Sequence, residues 1–212
     1  MSVTVVEHPL VAHNLALLRD IASPPWLFRH AVASLATLVG VSACASLSTT
    51  SRTVTTPVAE TTGDGISPPG PLLVPILRAG LAMLDSFLQL VPVSEVGFFG
   101  TKRDESTLIP HVYMDRMPAD LTGRQVIVMD PMLATGGSLI MTLEHLAERG
   151  ARDVTCACLV ASPEGVRAVE SAFARLPGSY RLFAAVIDEG LNDRGYIVPG
   201  LGDAGDRLFG AY

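Results

Sequence analysis

Val126-Ile127-Val128-Met129-Asp130-Pro131-Met132-Leu133-Ala134-Thr135-Gly136-Gly137-Ser138 is the stretch around which the rest of the chain can be ordered. Val126–Met129 is a short unbroken apolar run rich in β-branched residues, which predicts a strand buried on both faces of a parallel sheet. It ends at Asp130 and gives way to a turn of small residues. Leu139, Leu143 and Leu146 then recur on one helical face until Gly150 stops the helix. A strand, an acidic tip, a Gly-rich turn and a helix N-terminus together resemble a phosphate-binding βα unit, although a tight strand-to-helix turn can need glycine for positive φ alone. Unpaired backbone N–H groups and the helix dipole favour an anion there, glycines let the backbone approach it, and Thr135 and Ser138 add hydroxyls. The turn lacks the Gly-Lys-Ser/Thr of a P-loop and the Gly-x-Gly-x-x-Gly of a dinucleotide fold.

Outward from this unit, strands and helices alternate, which predicts an α/β fold with a mainly parallel twisted sheet and right-handed crossovers. Leu72–Leu77, Glu95–Gly100, Asp153–Val160 and Arg181–Ile187 read as further strands. Leu81–Val91 reads as a helix, as does a segment opened by the Ser162-Pro163 cap. Thr101–Asp120 is polar and reads as a small two-stranded β excursion over the site. Upstream, Val3–Val6 reads as a strand, Pro9–Asp20 as a helix and Trp26–Leu47 as a second helix. Thr49–Thr62 reads as an edge hairpin, Gly63–Pro71 as a Gly/Pro loop and Asp188–Tyr212 as an irregular, Gly-rich tail. Ligands collect at the carboxyl ends of such strands, so Arg78, Thr101–Glu105, Asp130 and Asp188 are expected around one crevice.

The 212 residues suit a single domain, 1–212. A hydrophobic share of 49%, a charged share of 17% and a mean hydropathy of +0.40 place apolar surface in a subunit interface. The net charge of −6, without a Lys/Arg cluster, argues against a nucleic-acid partner. Ala31–Ser51 is uncharged, but its Ala, Ser and Thr content makes it a buried or interface helix rather than a membrane span. Glu7 and His8 at the start do not suit a signal peptide. Cys156 and Cys158 alternate within a strand and read as buried thiols, which fits a reducing cytoplasm. The histidines form no metal or triad pattern, and no serine sits in Gly-x-Ser-x-Gly.

Asp130–Ser138 resembles the phosphoribosyl-pyrophosphate (PRPP) motif of type I phosphoribosyltransferases, with Asp130-Pro131 in place of the usual acidic pair. That variant is similar to the one in uracil phosphoribosyltransferases. Two other stretches share the resemblance: Pro75-Ile76-Leu77-Arg78-Ala79-Gly80, and Tyr196-Ile197-Val198-Pro199-Gly200-Leu201-Gly202-Asp203-Ala204-Gly205-Asp206. It implies transfer of phosphoribose from PRPP to uracil in the cytoplasm, with Mg²⁺ held mainly by PRPP and water. PRPP contacts are implied at Arg78, Arg103, Asp130, Pro131, Met132, Leu133, Ala134, Thr135, Gly136, Gly137, Ser138 and Asp203, and catalytic roles at Arg78, Arg103, Asp130 and Asp203. Uracil contacts are implied at Ile197, Gly202, Asp203 and Ala204. A homo-oligomer of two or four chains and GTP as a candidate effector belong to the same expectation. The chain departs from the family at Asn14, where Lys is usual, and across Val41–Ser51, both on helices that pack subunits. A PRPP or nucleotide sensor without activity, or a transferase for another base, are the competing readings. A Ca²⁺ loop at the C-terminal Gly/Asp run lacks the acidic ladder it needs.

Overall fold

The computed structural model describes residues 2–103 and 110–210, with backbone alone at 102–103 and 110–111. In chain order the elements are β1 (Ser2–Val5), α1 (Pro9–Arg19), α2 (Pro25–Ala43), β2 (Thr49–Thr55), β3 (Glu60–Ile66), β4 (Leu72–Leu77), α3 (Leu81–Leu90), β5 (Glu95–Val96), β6 (Phe98–Arg103), β7 (Pro110–Arg116), β8 (Gln125–Met129) and β9 (Met132–Leu133). They continue with α4 (Gly137–Glu148), β10 (Asp153–Ala161), α5 (Pro163–Arg175), β11 (Ser179–Ile187), β12 (Gly190–Leu191), β13 (Ile197–Val198) and α6 (Ala204–Phe209).

The main sheet runs β1-β11-β10-β8-β4-β6-β7, parallel throughout except where β7 returns antiparallel to β6. β8 lies between β10 and β4, so its apolar run is covered from both sides. Ile127 and Met129 point into a core shared with α1, α2, α3 and α6, while Val126 and Val128 point into the one under α4 and α5. Burial of each such side chain contributes roughly 1.5–3 kcal/mol, and the period-2 division between two apolar layers locks the register. Cys156 and Cys158 share the α4/α5 face, as their spacing predicts. Burial raises both thiols well above their ordinary range.

Several boundaries differ from the sequence reading, each for a local reason. The second helix stops at Ala43 and tightens into a 3₁₀ turn over Cys44–Ser46, where the Cys44 N–H reaches Gly40 O and Ser42 O. The edge hairpin extends to Ile66 through Gly63 and Gly65, because antiparallel pairing with Thr49–Arg52 satisfies a backbone that composition alone marks as loop. The tail from Asp188 is not irregular. It forms the β12–β13 hairpin and then α6, whose N-cap Asp203 accepts from the Asp206 N–H at 2.9 Å.

The segment Pro25–Ser46 is long and apolar enough to cross a membrane by length and composition alone. Within the fold it is a core helix, with Phe28, Ala31, Val32, Leu35, Ala36 and Val39 buried against the sheet layer and α3.

Candidate active site

At the carboxyl end of β8 the chain passes Asp130 and Pro131, pairs briefly as β9 with β10, and turns through Ala134–Gly136 into α4. Pro131 is buried where a second acid would stand. Its carbonyl accepts from the Leu159 and Val160 N–H groups, both at 3.1 Å, and proline brings no donor of its own to strand. Gly136, at φ 84°, takes the left-handed conformation that aims the first N–H groups of α4 outward. Asp130 and residues 132–139 line a 90 Å³ hollow, a cradle whose helix N-terminus suits an anion such as phosphate.

The cradle is braced from behind by the start of α5. Ser162 is fully buried; its hydroxyl donates to Ala134 O at 2.6 Å and accepts the Gly165 N–H at 2.9 Å. A Cβ on Gly165 would lie 2.3 Å from Ala134 O, so only glycine lets the helix reach the turn. From the other side comes the loop after β4. A Cβ on Gly80 would lie 2.5 Å from Met129 O, and this close approach sets Arg78–Gly80 beside the tip that carries Asp130.

Asp130 is half-buried and accepts one long N–H bond, from Met132 at 3.5 Å. Burial pushes its carboxyl up to about 7, against that weak hydrogen bond. A carboxylate so poised is short of partners and suited to accept hydroxyl groups from a ligand.

Beside the cradle, and sharing Met132 and Ala134 with it, lies a 280 Å³ cavity lined also by Arg194, Gly195, Tyr196, Ile197, Gly202, Asp203 and Ala204. Its size is that of a single small ring system. All four residues expected at the base therefore line one cavity, against the phosphate turn. Met132 lines both hollows, and Arg194 and Tyr196 add a side the sequence reading did not include. Arg78 is exposed at the end of β4, next to the cradle, but lines neither hollow. The Leu77–Arg78 peptide is cis. Arg103 closes β6, two residues past Thr101, whose hydroxyl is 3.4 Å from Ser138 Oγ. The Arg103 side chain and the Asp104–Glu105 part of the expected loop lie outside the described residues.

Asp188 is not a free group in the crevice. Its side chain is 3% exposed and forms a two-point pair with Arg19, at 2.6 and 3.0 Å, while accepting the Gly200 N–H at 2.9 Å. The Arg19 side of this contact is a long-range pairing that local spacing does not display. It ties the base loop to α1, and Arg207 does the same for α6 by donating to Leu18 O at 2.6 Å and stacking on Phe28. Arg19→Met, which leaves the Asp188 carboxylate buried with one N–H, is expected to lower stability by about 3 kcal/mol. Urea unfolding reads this, and an unchanged midpoint would contradict it.

A mainly parallel sheet of this order, with a Gly-rich turn and a ring-sized cavity at its carboxyl edge, is the fold of the type I phosphoribosyltransferases. A solved hypoxanthine-guanine phosphoribosyltransferase from Bacillus anthracis shares the fold at a TM-score of 0.50 and 11% identity, over 77% of this chain and 80% of that one. The family model for uracil phosphoribosyltransferase matches residues 5–211. Proteins named uracil phosphoribosyltransferase are 51% identical in Kineococcus radiotolerans, over 99% of each chain, and 52% identical in Streptomyces avermitilis, over 100% of this chain and 99% of that one. The solved AQ2163 protein from Aquifex aeolicus matches at a TM-score of 0.89 and 36% identity, covering 99% of this chain and 98% of that one. The chain belongs to the uracil phosphoribosyltransferase family.

Proposed function

We infer that the protein transfers the 5-phosphoribosyl group of PRPP to N1 of uracil, giving UMP and pyrophosphate in pyrimidine salvage, and that the chain acts as one catalytic domain. The observation that carries this is the pair of hollows sharing Met132 and Ala134, one built for a phosphate and one for a flat base. In this reading the 5′-phosphate rests on Ala134–Ser138 and Asp130 accepts the ribose hydroxyls. Uracil is read by backbone N–H and C=O groups at Ile197, Gly202 and Ala204, which distinguish its two carbonyls and its N–H without a charged side chain. Arg78 and Arg103 stabilise the charge that grows on departing pyrophosphate.

As the C1–O bond breaks, the ribose becomes cation-like, and the carboxylates of Asp130 and Asp203 oppose that charge. Uracil N1 then forms the new C1–N1 bond from the opposite face, and its proton passes to solvent or to the departing pyrophosphate. The rate arises from positioning and electrostatics, with no covalent intermediate on the chain. Among the described residues no cluster of three His, Cys, Asp or Glu side chains is arranged for a metal. One carboxylate at the tip, with PRPP oxygens and water, suits Mg²⁺, which when bound neutralises pyrophosphate charge.

The proposal extends to a cytoplasmic homo-oligomer, a dimer or tetramer, open to GTP as effector. Exposed Trp26 and Val41 on α2 and Leu10 on α1 supply apolar surface for a second copy. Sedimentation with and without GTP reads both points: a monomer in each condition would overturn them. A crystal structure with UMP tests the site itself. The phosphate is expected against Ala134–Ser138 and the base between Ile197 and Ala204; a nucleotide bound anywhere else would refute the assignment.

A further inference from the structure

α4 links the phosphate cradle to something else. His145 in the last turn of that helix and Arg149, its C-cap four residues on, reach the β6–β7 hairpin together. His145 Nε2 lies 2.7 Å from Asp115 Oδ2 on β7, and Arg149 donates to the same oxygen. The His145 ring also packs on Phe99 of β6, centroids 5.1 Å apart and tilted by 34°, and Phe99 is fully buried. Arg149 adds bonds to Met117 O at 3.2 Å and Pro118 O at 3.3 Å, where the chain leaves β7. One helix face therefore holds both strands of the hairpin. Burial works to raise the Asp115 carboxyl, and the His145 and Arg149 contacts outweigh it, so it stays below its usual value. Among the described residues Asp115 Oδ1 is buried without a partner, which concentrates the compensation of that charge on Oδ2.

β6, the strand that carries Phe99, runs on to Thr101, opposite Ser138 in the cradle, and then to Arg103. A directional hydrogen-bonded contact fixes distance and angle in a way that apolar packing alone does not. We infer that Asp115, His145 and Arg149 are positioning residues for the reaction: they set the separation between the 5′-phosphate cradle on α4 and the pyrophosphate-binding strand β6. The inference rests on the reading of Arg103 and the cradle as the two ends of the PRPP site.

The test measures binding of PRPP, pyrophosphate and UMP to the full chain by calorimetry, well below the melting temperature of each variant. Asp115→Asn and His145→Gln are each expected to weaken PRPP and pyrophosphate by roughly tenfold to a hundredfold. UMP, which fills the cradle and base cavity but has no pyrophosphate, is expected to bind as before. The double variant is expected to be no worse than Asp115→Asn alone, since both changes break one contact. Arg149→Lys, which keeps a cation on Oδ2, should retain most of the pyrophosphate affinity that Arg149→Met loses. Equal losses for PRPP and UMP would reduce the cluster to a stabiliser of the fold and overturn the inference, as would unchanged binding of PRPP. Wild-type protein that binds neither PRPP nor UMP would instead overturn the proposed function, and this inference with it.

Discussion

Replacing Asp130 with Asn is expected to lower turnover of uracil by about two to three orders of magnitude, the usual loss when one group aimed at a developing charge is removed. The side chain keeps its size, and its contact with the Met132 N–H at 3.5 Å is too long to contribute much stability, so the fold should persist. What disappears is the negative charge at the tip facing a cation-like ribose; Pro131 stands where an adjacent acid could compensate, which leaves Asp203 as the one carboxylate opposing that charge. The same residue sets a pH dependence. Its carboxyl sits at about 7, raised by burial above the ordinary carboxylate value of 3.8. The free protein therefore keeps a proton there up to about pH 7, whereas ligand hydroxyls need the ionised form. Because the folded value is the higher one, this group's contribution to stability is fully present below its unfolded value and is lost as pH rises through about 7. Ligand binding has the opposite sign: hydroxyl groups need the ionised oxygen, so kcat/KM for PRPP is expected to rise through pH 7 and level off above it. Phosphate groups on PRPP titrate near roughly 6, so the comparison with Asp130→Asn is essential. An inflection that survives in that variant belongs to the substrate, and an Asn variant with wild-type rates would remove Asp130 from the mechanism.

The second large effect is at Gly165, a residue that touches no substrate. Its absent side chain is the space occupied by Ala134 O, 2.3 Å from a built Cβ, with Leu133 O at 2.9 Å. Both obstacles are backbone, so a rotamer change cannot relieve them. Gly165→Ala must therefore push the phosphate turn away from α5 and disturb the Ser162 bond to Ala134 O. Overpacking of this kind costs about 1–3 kcal/mol, or a fall of roughly 2–10 °C in Tm for a chain this long. The kinetic consequence is larger than the thermal one. KM for PRPP should rise by roughly tenfold or more, because a displacement near 1 Å in a phosphate cradle is enough to lose its hydrogen bonds. KM for uracil should move less, since Gly200 in the base loop is held from outside α5, by Asp188 and Arg19. A variant with lower Tm but unaltered KM for PRPP would show that the turn tolerates the shift.

These two sites mark where sequence reading reaches and where it stops. Asp130 is visible at once, since a carboxylate at the end of an apolar run before Ala-Thr-Gly-Gly is a local pattern, and the strand that carries it shows the predicted period and burial. Ile197, Gly202, Asp203 and Ala204 are expected through the family resemblance alone, and they do meet at one cavity. The brace by Ser162 and Gly165 is not visible in this sense. Ser162-Pro163 announces a helix start, but its hydroxyl also serves a carbonyl 28 residues earlier. Arg19 and Asp188 are 169 residues apart, and only the sheet order brings them together. The tail after Asp188 reads as irregular because glycine and aspartate are frequent there; long-range anchors such as Asp188 to Gly200 and Arg207 to Leu18 are what turn it into a hairpin and a short helix. Asp115, His145 and Arg149 fall in the same category, with a pairing that spans two elements and carries no motif.

The most direct test of the whole account is UMP formation from radiolabelled uracil, PRPP and Mg²⁺ by the purified protein, with hypoxanthine, orotate and cytosine in parallel. The account predicts UMP and pyrophosphate in equal amounts from uracil, dependent on PRPP, with the other bases left unconverted. No UMP from uracil, or turnover of another base in its place, would contradict it.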